Sequence, residues 1–306
     1  METRLPRPSP YQIAAFTEAA RARSISAAAA RLGVTQSSVT QHVAKLETLM
    51  GAALFVRRRD GLALTRAGRE LFGITDRLRT LEEIVEERLT RFAALSTGSL
   101  RIIANAPRPA LEVIAAFGEA HPGVEIDFRL GTWEAVRRAL HEREVDVAFQ
   151  TDPEPGHGFA SREIGTTRYR AYLRRDHALA DRPALSLGTL SAETLVVPED
   201  GSLTQRIVRA AFAAAGLALP RLLKTGTFPL VKEAVLAGAG VGIMLERSVH
   251  EASSLAALPV EGMEETCRVH VMTQPERREL RLVRRFFETA ADHALAPSRP
   301  LSREEG

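Results

Sequence analysis

Gln36, Ser37, Thr40, Gln41 and Lys45 follow one another at steps of one, three, one and four, which on an α-helix gathers them along one polar face. Their chemistry suits duplex nucleic acid. A glutamine amide can bond adenine at two points, serine and threonine hydroxyls reach either bases or phosphate, and a lysine pairs with phosphate. A solvated surface helix shows a polar face too, so the neighbouring segments decide between the two accounts.

Those segments are ordered as a reading head. Tyr11 to Ala22 carries Ile13, Ala14, Phe16, Thr17 and Ala20 at helical spacing. Ser26 is placed to cap a second helix, Ala27 to Leu32, which Gly33 ends in a left-handed turn. Thr35 caps a third helix running to about Met50, with Val39, Val43, Leu46 and Leu49 turned inward. Helix, short glycine turn, helix is the arrangement that lays a recognition helix in the major groove. The alanines at 27 to 30 let the helices approach closely. Gln36, Ser37 and Thr40 occupy the first turns, the part of such a helix that points at base edges.

Leu54 to Thr65 then predicts two short strands turning at Asp60-Gly61, a pair that favours a two-residue turn. Arg57, Arg58 and Arg59 stand on the rising arm. A basic hairpin beside a helix-turn-helix is a wing able to lie along phosphates or enter the minor groove. Residues 1–65 hold nine basic side chains against four acidic, although the whole chain has a net charge of only +3. Positive charge is thus concentrated where phosphate would be met. A solvated basic surface would show the same count.

The run Ala27-Ala28-Ala29-Ala30-Arg31-Leu32-Gly33-Val34-Thr35-Gln36-Ser37-Ser38-Val39-Thr40 resembles the LysR-type pattern, as do Leu46-Glu47, Gly51, Leu54-Phe55, Arg58, Leu64-Thr65 and Ala67-Gly68. The resemblance implies a LysR-type transcription regulator that binds double-stranded promoter DNA. It matches Gln36, Thr40 and Gln41 to positions that approach bases, and Arg58 to the wing residue that holds phosphate. At Gln41 this chain departs from the arginine that many relatives carry.

From Thr65 a helix without proline extends to about Leu95. Leu71, Ile74, Leu78, Leu81 and Val85 step by three and four, a coiled-coil seam. The strict repeat slips at Leu89 and Phe92. Such a stripe could pack on its own domain, but its length and place favour pairing two chains. In the family this helix pairs two winged domains, which implies a homodimer and, with further contacts, a homotetramer.

From Ser99 onward strands and helices alternate, implying a doubly wound parallel sheet with right-handed crossovers. A second such set follows, and His270-Val271-Met272 with a helix from Glu279 to His293 returns to the first lobe. Two hinged α/β lobes resemble the periplasmic-binding-protein fold of the LysR effector domain. The fold class is therefore α/β with an all-α-rich winged helix-turn-helix in front. The expected organisation is 1–65 for DNA binding and 66–96 for the dimerisation helix. The effector domain takes 97–296, with lobe 1 at about 97–168 and 270–296 and lobe 2 at about 169–269. A flexible tail is expected at 297–306.

A ligand in this fold lies between lobes at strand ends, where helix N-termini offer free N–H groups. That nominates Asn105, Ala106, Arg108, Gly131, Thr132, Gln150, Thr151, Ser202, Thr204, Thr227 and Phe228. Hydroxyls and helix ends make an anion-friendly cleft, and Arg108 would add a formal charge. It could equally be a solvated loop arginine, and Ser202 and Thr204 could be helix caps alone. The stretches Arg129 to Thr132, Gly201 to Thr204 and Lys232 to Gly238 are similar to a LysR subgroup associated with 2-aminoethylphosphonate catabolism. This implies that zwitterion or a related phosphonate as effector. A carboxylate, aromatic or not, or an amino acid is the other expectation.

Catalysis finds no constellation. Gly238-Ala239-Gly240-Val241-Gly242 follows a helix and precedes a strand, the reverse of a dinucleotide loop. His141-Glu142-Arg143-Glu144 lacks the second histidine of a zinc-protease helix, no Gly-x-Ser-x-Gly occurs, and the histidines have no ligand spacing. No enzyme activity, metal or cofactor is expected. The rival classes are a solute-binding module, which would need an export signal, and an enzyme with an accessory DNA-binding domain. Without a long apolar run no membrane is a partner, and the single Cys267 points to a cytoplasmic protein. RNA polymerase is a possible partner of such a regulator.

Overall fold

The computed structural model describes residues 7–59, 61–90, 98–226, 228–246 and 254–293. The chain divides into two compact units, residues 1–93 with 142–144, and the remainder. The tail expected at 297–306 and the end of the connecting segment lie outside the described residues.

The first unit opens with α1, Pro10–Ala22. Ser9 caps it reciprocally: its Oγ accepts from the Gln12 amide at 3.3 Å, while the Gln12 side chain accepts from the Ser9 N–H at 2.7 Å. α2, Ile25–Leu32, is capped by Ser24 and not by Ser26, so it begins two residues earlier than expected. Ser26 instead lies exposed. α3, Gln36–Met50, is capped by Thr35, whose hydroxyl accepts from Ser38 N at 3.2 Å. Phe16, Ala19, Ala28, Val39, Val43, Leu46 and Leu54 form the core. Leu49, expected inside, is exposed, and the buried face of α3 is confined to Val39, Val43 and Leu46.

β1, Phe55–Arg58, and β2, Gly61–Leu64, pair antiparallel with Arg58 opposite Gly61. Gly61 therefore opens the second strand instead of sitting in the turn. The hairpin is tied to the end of α1, where Leu62 N donates to Arg23 O at 2.9 Å. α4, Arg66–Leu89, is capped by Thr65 and ends at Thr90. It buries Phe72, Thr75, Asp76 and Thr80, and fully buried Asp76 accepts from Arg21 Nε of α1 at 2.6 Å. Leu71, expected at the head of the apolar seam, packs against the core. Ile74, Leu78, Leu81, Val85 and Leu89 are exposed.

The second unit begins with β3, Gly98–Ala104, α5, Ala110–Ala120, β4, Val124–Leu130, α6, Trp133–His141, and β5, Val147–Thr151. β6, Ala160–Arg174, is a single long strand. After it come β7, Leu185–Ser186, α7, Leu187–Leu190, β8, Leu195–Pro198, α8, Leu203–Ala214, β9, Leu222–Thr225, α9, Phe228–Leu236, and β10, Val241–Leu245. The chain closes with β11, Leu255–Glu261, β12, Thr266–Thr273, and α10, Arg281–Asp292. Strands are ordered β4-β3-β5-β12-β6-β10-β8-β9, with β11 on the side of β6.

β3, β4 and β5 are mutually parallel, as are β8, β9 and β10, giving the two doubly wound halves the alternation implies. β6, β11 and β12 are antiparallel additions, so the sheet is mixed. One lobe packs Ile102, Phe117, Phe149, Phe286 and Phe287 together, with α10 returning onto α5. The other packs Val196, Val208, Phe212, Val235 and Ile243.

Asp146 anchors the first lobe. Its carboxylate accepts from Arg101 N at 2.8 Å and Nε at 3.2 Å, and from the Arg277 guanidinium. Burial alone would raise its pKa, but Arg277 and Arg101 outweigh burial and hold it below the usual carboxylate range. A carboxyl depressed on folding contributes stability above its unfolded pKa of about 3.9 and loses it as pH falls through the folded value. Asp146→Asn should lower the unfolding free energy of this unit by roughly 3–5 kcal/mol at pH 7 in denaturant titration. The gap to wild type should narrow below about pH 4; a gap independent of pH would mean that the carboxylate charge contributes nothing.

Candidate functional site

Two places gather the polar side chains nominated from sequence, one in each unit. In the first, Gln36, Ser37, Thr40, Gln41 and Lys45 are all exposed on α3. The opposite face, bearing Val39, Val43 and Leu46, is buried, so the core fixes the rotation of the helix. Gln36 Nε2 donates to Ser26 Oγ at 3.2 Å, which pre-sets the amide from the preceding helix. Thr40 Oγ1 donates to Gln36 O at 2.9 Å, leaving its methyl and oxygen lone pairs outward. Arg57, Arg58 and Arg59 are exposed on the hairpin, and among the described residues none of them pairs with an acid. Unlike Gln36 and Thr40, these cations are not committed inside the chain.

In the second unit a cavity of about 60 Å³ lies at the ends of the parallel strands. The loop after β3 brings Asn105, the turn after β4 brings Gly131 and Thr132, and α6 begins with Trp133. From the other lobe come Glu199, Ser202 and Thr204 around the start of α8, Gly226 after β9, and Tyr169 from the long strand. Ser202 and Thr132 are N-caps: their hydroxyls accept from Gln205 N at 3.3 Å and Ala135 N at 3.0 Å. Two helix N-termini thus border one small space, with their positive ends toward it.

The polar groups are held in place. Trp133 Nε1 donates to Thr151 O at 2.8 Å, and Gln150 Nε2 donates to Trp133 O at 3.1 Å. Thr151 N donates to Asn105 Oδ1 at 3.0 Å, leaving the Asn105 amide N–H groups available. Thr204 Oγ1 donates to the Tyr169 hydroxyl at 3.4 Å. Burial drives the Tyr169 pKa far upward, so the phenol stays a neutral donor. Across the cleft the Arg206 guanidinium stacks 4.4 Å from the centre of the Trp133 ring, a contact between the lobes.

Of the residues nominated from sequence, Asn105, Gly131, Thr132, Ser202 and Thr204 line this cavity. Gln150 and Thr151 sit behind its wall and position Trp133 and Asn105. Ala106 is buried in the core of the second lobe. Arg108 does not line the space; it pairs with Glu112 one turn along. Thr227 and the Phe228 side chain lie outside the described residues. Trp133, Tyr169 and Glu199 were not foreseen. Trp133 could have been found as the residue after the Thr132 cap, and Glu199 as the residue following a strand end.

Comparison with known proteins supplies the context. Residues 10–69 match the bacterial regulatory helix-turn-helix protein family named for lysR, and residues 93–295 match the LysR substrate binding domain. The RuBisCO operon transcriptional regulator of Allochromatium vinosum is 29% identical over 287 residues, 90% of this chain and 89% of that protein. A full-length OxyR variant from Pseudomonas aeruginosa has a TM-score of 0.78 at 15% identity, covering 94% of this chain and 95% of its own. Full-length CbnR, solved with its target DNA, gives 0.51 at 20% identity over 93% and 99% of the two chains. The CcmR regulatory domain of Synechocystis PCC6803, in complex with 2-PG, gives 0.58 at 20% identity over 66% and 100%. These likenesses establish the fold; the named relatives are regulators and not enzymes.

If the hairpin arginines hold phosphate, the triple variant Arg57→Ala/Arg58→Ala/Arg59→Ala should weaken binding to target and scrambled duplexes alike. The slope of log affinity against log salt should shrink by about 2 to 3. An unchanged slope in a fluorescence-anisotropy titration would place the phosphate contacts elsewhere.

Proposed function

This chain belongs to the LysR family of DNA-binding transcription regulators with a ligand-binding domain, and on that premise we propose how it reads DNA and senses its effector. The first turns of α3 enter the major groove with Gln36, Ser37, Thr40 and Gln41 toward base edges, while Lys45 and the arginine hairpin hold the flanking backbone. The observation that carries this is the division of α3 into a buried apolar face and an exposed polar one beside uncommitted arginines.

Two copies pair through the exposed apolar side chains of α4, of which Ile74 is 69% and Leu89 82% exposed. Pairing removes that surface from water and sets two reading heads on a near-palindromic site. The domain boundaries at 65 and 96 follow from the same reading. Contacts between effector domains then extend the dimer to a tetramer in the cytoplasm.

The effector is a small molecule with an anionic group, held in the cleft by Thr132, Ser202, Thr204 and the two helix ends. A relative's regulatory domain, that of CcmR, is solved in complex with 2-PG. Within this class the candidates are 2-aminoethylphosphonate or a related phosphonate, a carboxylate and an amino acid. The cavity of about 60 Å³ favours an aliphatic ligand, since about 150 Å³ is what admits a benzene ring. The ligand must prefer one of two quaternary arrangements, for equal affinity would shift nothing. The preferred arrangement changes the spacing or bend of the bound DNA and hence access of RNA polymerase.

The double variant Gln36→Ala/Thr40→Ala tests the DNA reading. Against the duplex upstream of the protein's own gene, discrimination over a scrambled duplex should fall roughly ten- to a hundredfold, as expected when a base contact of about 1–3 kcal/mol is lost. Discrimination that survives intact would overturn the assignment of this face.

A further inference from the structure

Glu199 does not fit a cleft built for an anion alone. It follows β8 and lines the cavity, and among the described residues its buried Oε2 has no hydrogen-bond partner. Leaving a carboxylate oxygen buried and unsatisfied is costly. Among the described residues no lysine or arginine lines the cavity, so no cationic side chain in its wall balances the carboxylate. A second carboxylate stands nearby, since a Cβ at Gly201 would lie 3.2 Å from Glu134 Oε2. The remaining polar wall has the opposite character: the Asn105 amide, the Tyr169 hydroxyl and the two helix N-termini are donors.

Donors and a carboxylate bordering one small space select a ligand with both signs of charge. A simple anion would satisfy the donors and be repelled by Glu199; a simple cation would do the reverse. We infer that the effector is a small aliphatic zwitterion whose anionic group meets the donor wall and whose ammonium group meets Glu199. This rests on the cleft being the effector site and narrows the ligand classes allowed there. The ammonium supplies a charge-assisted hydrogen bond to the Glu199 carboxylate, and the volume limits its carbon chain to a few atoms.

The test uses the full chain and two matched series: glycine, β-alanine and 4-aminobutanoate against acetate, propanoate and butanoate. Binding is read by isothermal titration and thermal shift. At least one amino acid of the first series should bind tenfold or more tighter than its deaminated partner. In Glu199→Gln that preference should collapse, with the deaminated anion binding at least as well as to wild type. The wild-type comparison stands without the variant, so poor folding of Glu199→Gln cannot rescue the proposal. If the anions bind as tightly as the amino acids, and Thr204→Val abolishes their binding, the zwitterion assignment is overturned while the cleft reading stands. Absence of binding by both series counts against both.

Discussion

The surface shared by α3 and the hairpin depends on two backbone approaches that leave no room for a side chain. A Cβ at Gly61 would lie 2.7 Å from Arg23 O, and one at Gly68 would lie 2.1 Å from Leu54 O. The first approach seats the hairpin on the end of α1, where φ at Gly61 is +120°, a region that glycine enters freely. The second lets α4 cross directly over the segment entering the hairpin. With the core of Phe16, Val39 and Leu54 beneath them, α3 and the hairpin become one surface. The spacing between glutamine face and arginines is therefore fixed before any DNA is met, and binding does not have to order it.

The effector unit solves a different problem. β6 pairs with β12 in one lobe and with β10 and β11 in the other, so one strand belongs to both lobes. Its register with β12 shifts between Val269 and His270, the kind of irregularity at which a ladder bends. The lobes are joined by this ribbon, while the cleft lies at the ends of the parallel strands, where the helices begin. Trp133 and Arg206 bridge the lobes directly at that cleft. Under the proposed function, a ligand touching both helix ends would draw on these same inter-lobe contacts and so have a physical route to the packing of the domain.

Much of this was legible in the sequence, for local reasons. Val39, Val43 and Leu46 announce their buried face through period, and Thr35, Thr65 and Ser202 announce their caps as side-chain oxygens three residues ahead of the N–H groups they accept from. The misses were tertiary. Ser24 and Ser26 have the same capping chemistry; α1 ends in a left-handed turn at Arg23, and α2 starts directly after it with Ser24 as its cap. Leu49 and Leu71 satisfy the apolar period, but period does not say what covers a residue. The first half of β6, with Ser161, Arg162 and Glu163 exposed in succession, lacks the alternation that marks a strand. β7, α7 and β11 are short or weakly patterned. In the cleft, Ser202 was visible as a cap, whereas Thr204 is the second residue of α8 and bonds the Tyr169 hydroxyl instead of capping, and Tyr169 enters from a distant segment that only the fold brings to the cleft.

The central claim is geometric: α3 lies in the major groove and the hairpin lies on the strand beside it. Cys267, the chain's single cysteine, is buried, so a cutting reagent can be tethered selectively at Ser37→Cys or at Arg59→Cys and the cleavage of bound duplex mapped. The account predicts cuts centred within the recognition site from position 37 and cuts displaced to the flanking backbone from position 59. Coincident cleavage from both positions, or cleavage from 37 only outside the recognition site, would contradict it.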